Sequence, residues 1–143
     1  MIHFQAVSKT FQRRPVLDAV DLKFAEGDKV ALVGSNGAGK TTLIRCLLGE
    51  YRCDGKVSVS NLDPRHHRAE VLGRIGFVPQ LPPPLKIPVG ELIGFTANVC
   101  GTDPLGMENI ALKLGLDVPS IRRQPFVKLS GGQKQKLLIG IAL

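Results

Sequence analysis

Apolar and polar side chains alternate from Ile2 to Val7 and again from Val16 to Phe24, where Leu17, Val20, Leu22 and Phe24 are apolar. A period of two residues predicts two strands. Gly27-Asp28 then separates them from Val30-Ala31-Leu32-Val33, a continuously apolar run suited to a strand buried on both faces of a parallel sheet. The period changes after a glycine-rich stretch: Lys40 to Leu48 contains no Gly or Pro, gathers Leu43, Leu47 and Leu48 on one face, and meets Gly49 where a helix end favours glycine. Lys56 to Ser60 and Ile75 to Val78 read as further short strands, and Pro64 to Leu72 as a helix opened by its proline. Five prolines between Pro79 and Pro88 interrupt regular structure. Val89–Val99 and Leu105–Leu114 then read as helices, Asp117–Lys128 as irregular chain, and Gln133–Leu143 as a helix with Ser130 as its N-cap.

Length and composition narrow the class. With 143 residues, 43% hydrophobic and 22% charged, the chain has a globular composition and the size of one domain. Its three cysteines, Cys46, Cys53 and Cys100, form no CxxC pair and suggest neither a zinc site nor a disulfide framework. The start lacks a signal-peptide pattern, and no apolar stretch approaches the ~20 residues of a spanning helix. The excess of 19 Lys plus Arg over 12 Asp plus Glu gives a net charge of +7. These cations are dispersed, with almost no aromatic interleaving, so a nucleic-acid partner is not expected. His66 and His67 lack a third ligand at metal spacing and read as solvated surface.

The chemistry is concentrated in two glycine-containing segments. Gly34-Ser35-Asn36-Gly37-Ala38-Gly39-Lys40-Thr41 fills every position of GxxxxGK[ST], between an expected strand and an expected helix. Glycines allow successive backbone N–H groups to turn toward phosphate oxygens, and the following helix N-terminus adds partial positive charge. Lys40 would reach the β- and γ-phosphates, the Thr41 hydroxyl would ligate Mg²⁺, and Thr42 completes the binding segment. The second segment, Leu129-Ser130-Gly131-Gly132-Gln133, places another anion-facing helix start after irregular chain.

Together the two segments resemble the P-loop and signature sequence of ATP-binding cassette (ABC) ATPases, and the resemblance runs along essentially the whole chain. It implies an incomplete α/β P-loop nucleotide hydrolase fold, with N-terminal β-strands, a parallel core sheet and a helical signature subdomain. The implied division of this single partial domain is a nucleotide-binding core at 1–80 and a helical subdomain at 81–143. Gln80, after Phe77-Val78-Pro79, stands where the family carries its Q-loop, so it would touch Mg²⁺ or the attacking water. Phe11 stands where the family stacks an aromatic on adenine, although an ordinary core phenylalanine is the other reading.

The implied cofactors are ATP and Mg²⁺. The implied partners are a transmembrane permease subunit and a second ABC ATPase subunit in a head-to-tail dimer, on the cytoplasmic face of a membrane. Two other readings stay open: a soluble, non-transport ABC ATPase acting on ribosomes or DNA, and a non-hydrolysing ATP-binding fragment. In this family a strand ending in the Walker B Asp, followed by a catalytic Glu, comes after the signature helix. Asp63 and Asp117 do not match it, since neither follows four apolar residues nor precedes Glu. The chain therefore resembles a domain cut after that helix. No catalytic residue is identified in it, and slow or absent hydrolysis, exposed sheet edges and poor solubility are expected.

Overall fold

A tight turn without glycine shapes the first part of the molecule. In the computed structural model, which describes residues 1–143, the chain divides into two units, Met1–Arg74 and Ile75–Leu143. In the first, β1 (Ile2–Phe11) and β2 (Arg14–Phe24) form an antiparallel hairpin. Its two-residue turn, Gln12–Arg13, has φ of 47° and 65°, the left-handed pair that matches strand twist in a type I′ turn. β3 (Asp54–Val59) pairs antiparallel with the other edge of β1, giving the order β2-β1-β3.

The alternation along β1 slips at Ala6, which has φ 46° and donates its N–H to Asp21 Oδ1 at 2.8 Å. Ala19 does the same on β2, with φ 44° and a 2.8 Å bond to Ser8 Oγ. These bulges let Phe4 and Val7 both face inward although three positions separate them. β1 consequently extends past the expected end at Val7.

Helix α1 (Lys40–Leu47) lays Leu43 and Cys46 on this sheet, in a core with Phe4, Val7, Leu17 and Val57. Gly49 follows it with φ 67°, as its position in the sequence predicts. The expected helix from Pro64 is shortened to α2 (Arg68–Leu72). Asp63 prevents an earlier start: its Oδ1 accepts from Arg65 N–H at 2.8 Å, and its carbonyl accepts from His66 and His67, which makes residues 64–67 turns.

Two expected strands do not form. Val30–Val33 and Ile75–Val78 join no ladder, and Val33, expected to be buried, is 93% exposed. The sheet is antiparallel, and the parallel core sheet is not assembled within residues 1–143. An apolar run becomes a buried strand only where neighbouring strands take its N–H and C=O groups, and no segment of this chain pairs with either run.

The second unit is helical: α3 (Val89–Cys100), α4 (Pro104–Lys113), α5 (Val118–Ile121), a 3₁₀ turn at Phe126–Lys128 and α6 (Gly131–Ala142). Asp103 caps α4 by accepting from Leu105 N–H at 3.0 Å, with Pro104 in the first turn. The chain before α3 lies along the chain after α5, through Val89 N–H to Gln124 O at 3.0 Å, Phe126 N–H to Ile87 O at 2.9 Å and Val127 N–H to Leu85 O at 2.8 Å. Ile93, Phe126 and Leu137 are the largest side chains of the core between them. A Cβ on Gly140 would lie 2.7 Å from Met107 O, so α6 packs against α4 at backbone distance. No helix is long and apolar enough to cross a membrane.

Candidate functional site

The loop Gly34–Gly39 lies immediately before α1, and its shape follows from its glycines. Gly37 and Gly39 have φ of 88° and 87°, a left-handed conformation that costs other L-residues about 1–2 kcal/mol. Gly39 is also sterically obligatory: a Cβ there would lie 2.8 Å from Val16 O and 2.9 Å from Leu17 Cδ2. The loop is thus seated on β2 at Gly39, while Ser35, Asn36, Gly37 and Ala38 remain exposed.

Lys40 folds back into this loop. Its Nζ donates to Gly34 O at 2.6 Å and to Ser35 O at 2.8 Å, and it meets no carboxylate. Helix α1 has no side-chain cap at Gly39 and no acidic residue in its first turn, so its N-terminal charge is uncompensated as well. Thr41 is exposed and Thr42 half-buried on that turn. An ammonium held by carbonyls alone, beside uncapped backbone N–H groups, is suited to an anion such as a polyphosphate. Two open clefts of this unit, about 420 and 260 Å³, are lined by Ser8, Lys9, Arg52, Cys53 and neighbours and by His3, Gln5, Lys56 and neighbours. Neither includes a loop residue, and the donor chemistry, not concavity, makes the loop the candidate site.

Phe11 closes β1 and is 38% exposed. Its ring meets Tyr51 at a centroid separation of 5.3 Å and an interplanar angle of 71°, with Lys9 Nζ 5.0 Å above it. Tyr51, Arg45 and Lys9 belong to no sequence motif. The one available signal was that Tyr51 is the only tyrosine of the chain.

Gln80 and the segment Leu129–Gln133 lie in the second unit. Leu129 is buried, and Ser130 caps α6 in a capping box: Ser130 Oγ accepts from Gln133 N–H at 3.3 Å, and Gln133 Oε1 accepts from Ser130 N–H at 2.9 Å. The helix therefore starts at Gly131, two residues before the expected Gln133. A Cβ at Gly131 or Gly132 would meet nothing within 4 Å, so the fold of this unit does not itself require glycine there. Gln135, one turn further, donates to Pro79 O at 3.5 Å and Gln80 O at 3.4 Å, which brings the exposed Gln80 to the helix that Ser130 opens.

Other polar groups are accounted for locally. Burial, reinforced by the neighbouring Cys53 thiol, pushes Cys46 up to about 12, so it is inert as a nucleophile at neutral pH. Arg65 holds the Asp63 carboxyl below its ordinary value through hydrogen bonds, the shortest at 2.8 Å. His67 Nδ1 lies 3.2 Å from Glu70 Oε1 on the surface, and no three His, Cys, Asp or Glu side chains converge as a metal cluster.

Comparison with known proteins gives this arrangement its family. The sequence profile described as "ABC transporter" matches residues 17–143. The chain belongs to the ABC transporter family. The zinc import ATP-binding protein ZnuC of Marinobacter nauticus is 35% identical over all of the chain and 51% of its own length. The sn-glycerol-3-phosphate import ATP-binding protein UgpC 1 of Rhizobium johnstonii is 31% identical over 99% of the chain and 39% of its own length. The glutamine transport ATP-binding protein GlnQ of Escherichia coli is 35% identical over the whole chain and 63% of its own length. The chain thus spans about half the length of the relatives it matches.

In structure it resembles the ATP-binding subunit of an ABC transporter, with a TM-score of 0.87 and 23% identity over 99% of this chain and 61% of that one. A bacterial Atm1-family ABC exporter with ATP bound has a TM-score of 0.86 and 25% identity, over 99% of this chain and 26% of that one. The fold is therefore an incomplete form of the ABC P-loop fold, with antiparallel strands and several helices.

Proposed function

We propose that residues 1–143 form the nucleotide-binding part of an ABC transporter's ATP-binding subunit, which powers passage of a substrate through a permease. The observation that carries this is Lys40, whose ammonium is held by Gly34 O and Ser35 O above an uncapped helix start and has no carboxylate to neutralise it. Gly34, Ser35, Asn36, Gly37, Ala38 and Gly39 would wrap the phosphates of ATP, Lys40 would bind the β- and γ-phosphates, and Thr41, with Thr42 beside it, would hold Mg²⁺. Phe11 would stack on adenine. Gln80 carries over from the resemblance as the glutamine that contacts Mg²⁺ or the attacking water.

Leu129, Ser130, Gly131, Gly132 and Gln133 would face the nucleotide of a second subunit in a head-to-tail dimer. The open space at Gly131 and Gly132 supports that role, because their smallness serves nothing in the packing of their own unit. The names of ZnuC, UgpC 1 and GlnQ share ATP binding and differ in cargo, which supports ATP binding as this chain's part, on the cytoplasmic face of a membrane, with a transmembrane permease as its partner. These names favour transport over action on ribosomes or DNA. No residue of 1–143 is assigned as the base for water, so the proposed activity of this segment is binding, with at most slow turnover.

Equilibrium titration with a fluorescent ATP analogue and Mg²⁺ tests the reading. A charge-assisted bond contributes about 1.5–3 kcal/mol, so Lys40→Ala is expected to weaken binding by about 10- to 150-fold. Unchanged affinity in that variant, or no saturable binding by the parent chain, refutes the assignment.

A further inference from the structure

The ring of Phe11 is held from two sides. Lys9 Nζ stands over it at 5.0 Å, and Tyr51 meets it in a T-shaped contact at 5.3 Å. Tyr51 is itself fixed to α1: its hydroxyl accepts from Arg45 Nη1 at 2.7 Å, and Arg45 Cζ lies 5.3 Å from its ring. The backbone adds to this attachment, because Arg45 O accepts from Glu50 N–H at 2.9 Å and from Tyr51 N–H at 3.2 Å. Arg45 lies five residues after Lys40, on the same helix. A continuous set of contacts thus leads from the hairpin tip through Tyr51 and Arg45 to the helix that begins at the phosphate loop.

We infer that Tyr51 and Arg45 are positioning residues, which set the place of the Phe11 ring relative to the phosphate loop and so favour a purine nucleoside triphosphate over a bare triphosphate. The inference rests on the proposed stacking of Phe11 on adenine. Stacking needs an exposed ring face at a fixed height above the phosphates. Lys9 and Tyr51 cover part of the ring, and Phe11 stays 38% exposed, which leaves surface for a base. A ring free to swing on its rotamers would lose part of the stacking energy to ordering on each binding event.

The test compares the affinities of the full chain for ATP and for inorganic triphosphate across four substitutions. A base stacked on an aromatic ring is worth about 5- to 150-fold in affinity, so Phe11→Ala is expected to lose ATP affinity in that range and keep triphosphate affinity. Tyr51→Ala should lose ATP affinity by about 5- to 10-fold, within that range, again without change for triphosphate. Tyr51→Phe keeps the ring and removes the hydroxyl bond alone, while Arg45→Gln removes that bond together with the guanidinium against the ring and its ion pair with Glu50, and each is expected to lose about 2- to 10-fold for ATP alone.

If Phe11→Ala binds ATP as the parent does, the stacking reading falls and the inference with it. If Phe11→Ala weakens ATP binding while the Tyr51 and Arg45 variants do not, stacking stands and the positioning role is refuted. Equal losses for ATP and triphosphate in Tyr51→Phe and Arg45→Gln would also refute it, since they indicate damage to the loop itself.

Discussion

Replacing Gly39 by alanine tests how the loop Gly34–Gly39 is built. Two terms add at this position. The left-handed backbone, φ 87°, costs a residue with a Cβ about 1–2 kcal/mol. The new methyl group would also lie 2.8 Å from Val16 O, a backbone atom of β2 that cannot swing aside, and overpacking of this kind costs about 1–3 kcal/mol. The sum, about 2–5 kcal/mol, is a large part of the ~5–15 kcal/mol that holds a domain folded.

Gly37 supplies the control. Its φ is 88°, but a Cβ there meets nothing within 4 Å, so Gly37→Ala carries the backbone cost alone, about 1–2 kcal/mol. Urea unfolding followed by circular dichroism, with slopes of about 1–3 kcal/mol/M, should place the Gly39→Ala midpoint roughly 0.5–2 M below that of Gly37→Ala. Coincident midpoints would refute the seating of the loop on β2, since only that contact separates the two positions.

Two further outcomes are expected. Ser130→Ala removes the acceptor for Gln133 N–H and should cost about 1 kcal/mol of helical stability, seen as a lower melting temperature of the chain; an unchanged melt would refute the capping box. Thiol labelling should modify the exposed Cys100 first and Cys46 only on unfolding. Because the fold raises Cys46 above its ordinary value of 9.0, its stabilising contribution is complete below pH 9 and declines as pH rises toward about 12, so Cys46→Ala should flatten the alkaline limb of stability.

What could be read in the chain was what is local. The Ser130 N-cap and the starts of α1 and α3 depend on neighbours within a few residues, and they stand where the sequence places them. Val30–Val33 shows the opposite case: its apolar run specifies a strand only if other segments supply the ladder, and pairing is not a property of the run itself. β1 ran past its expected end because the bulges at Ala6 and Ala19 rest on Asp21 and Ser8, partners on the opposite strand that alternation does not reveal. α5 and the 3₁₀ turn at Phe126–Lys128 sit in a stretch read as irregular, where pairing with residues 85–90 fixes the backbone. Tyr51 was invisible for the same reason, since its value lies in Phe11 and Arg45, which fold brings to it.

The burial of Leu137 in the second core bears on how the chain is made. The first core is complete in sequence once Val57 has been synthesised, because Phe4, Val7, Leu17, Leu43 and Cys46 all precede it. The second core includes Leu137 on α6, so Leu92, Ile93 and Phe126 cannot close it until residue 137 has been made. At about 5–20 residues per second, translation separates the two events by roughly 4–16 s. Through that interval Leu92 and Ile93 emerge without the α6 side chain that completes their core, so the apolar face they share stays open to chaperones until Leu137 follows.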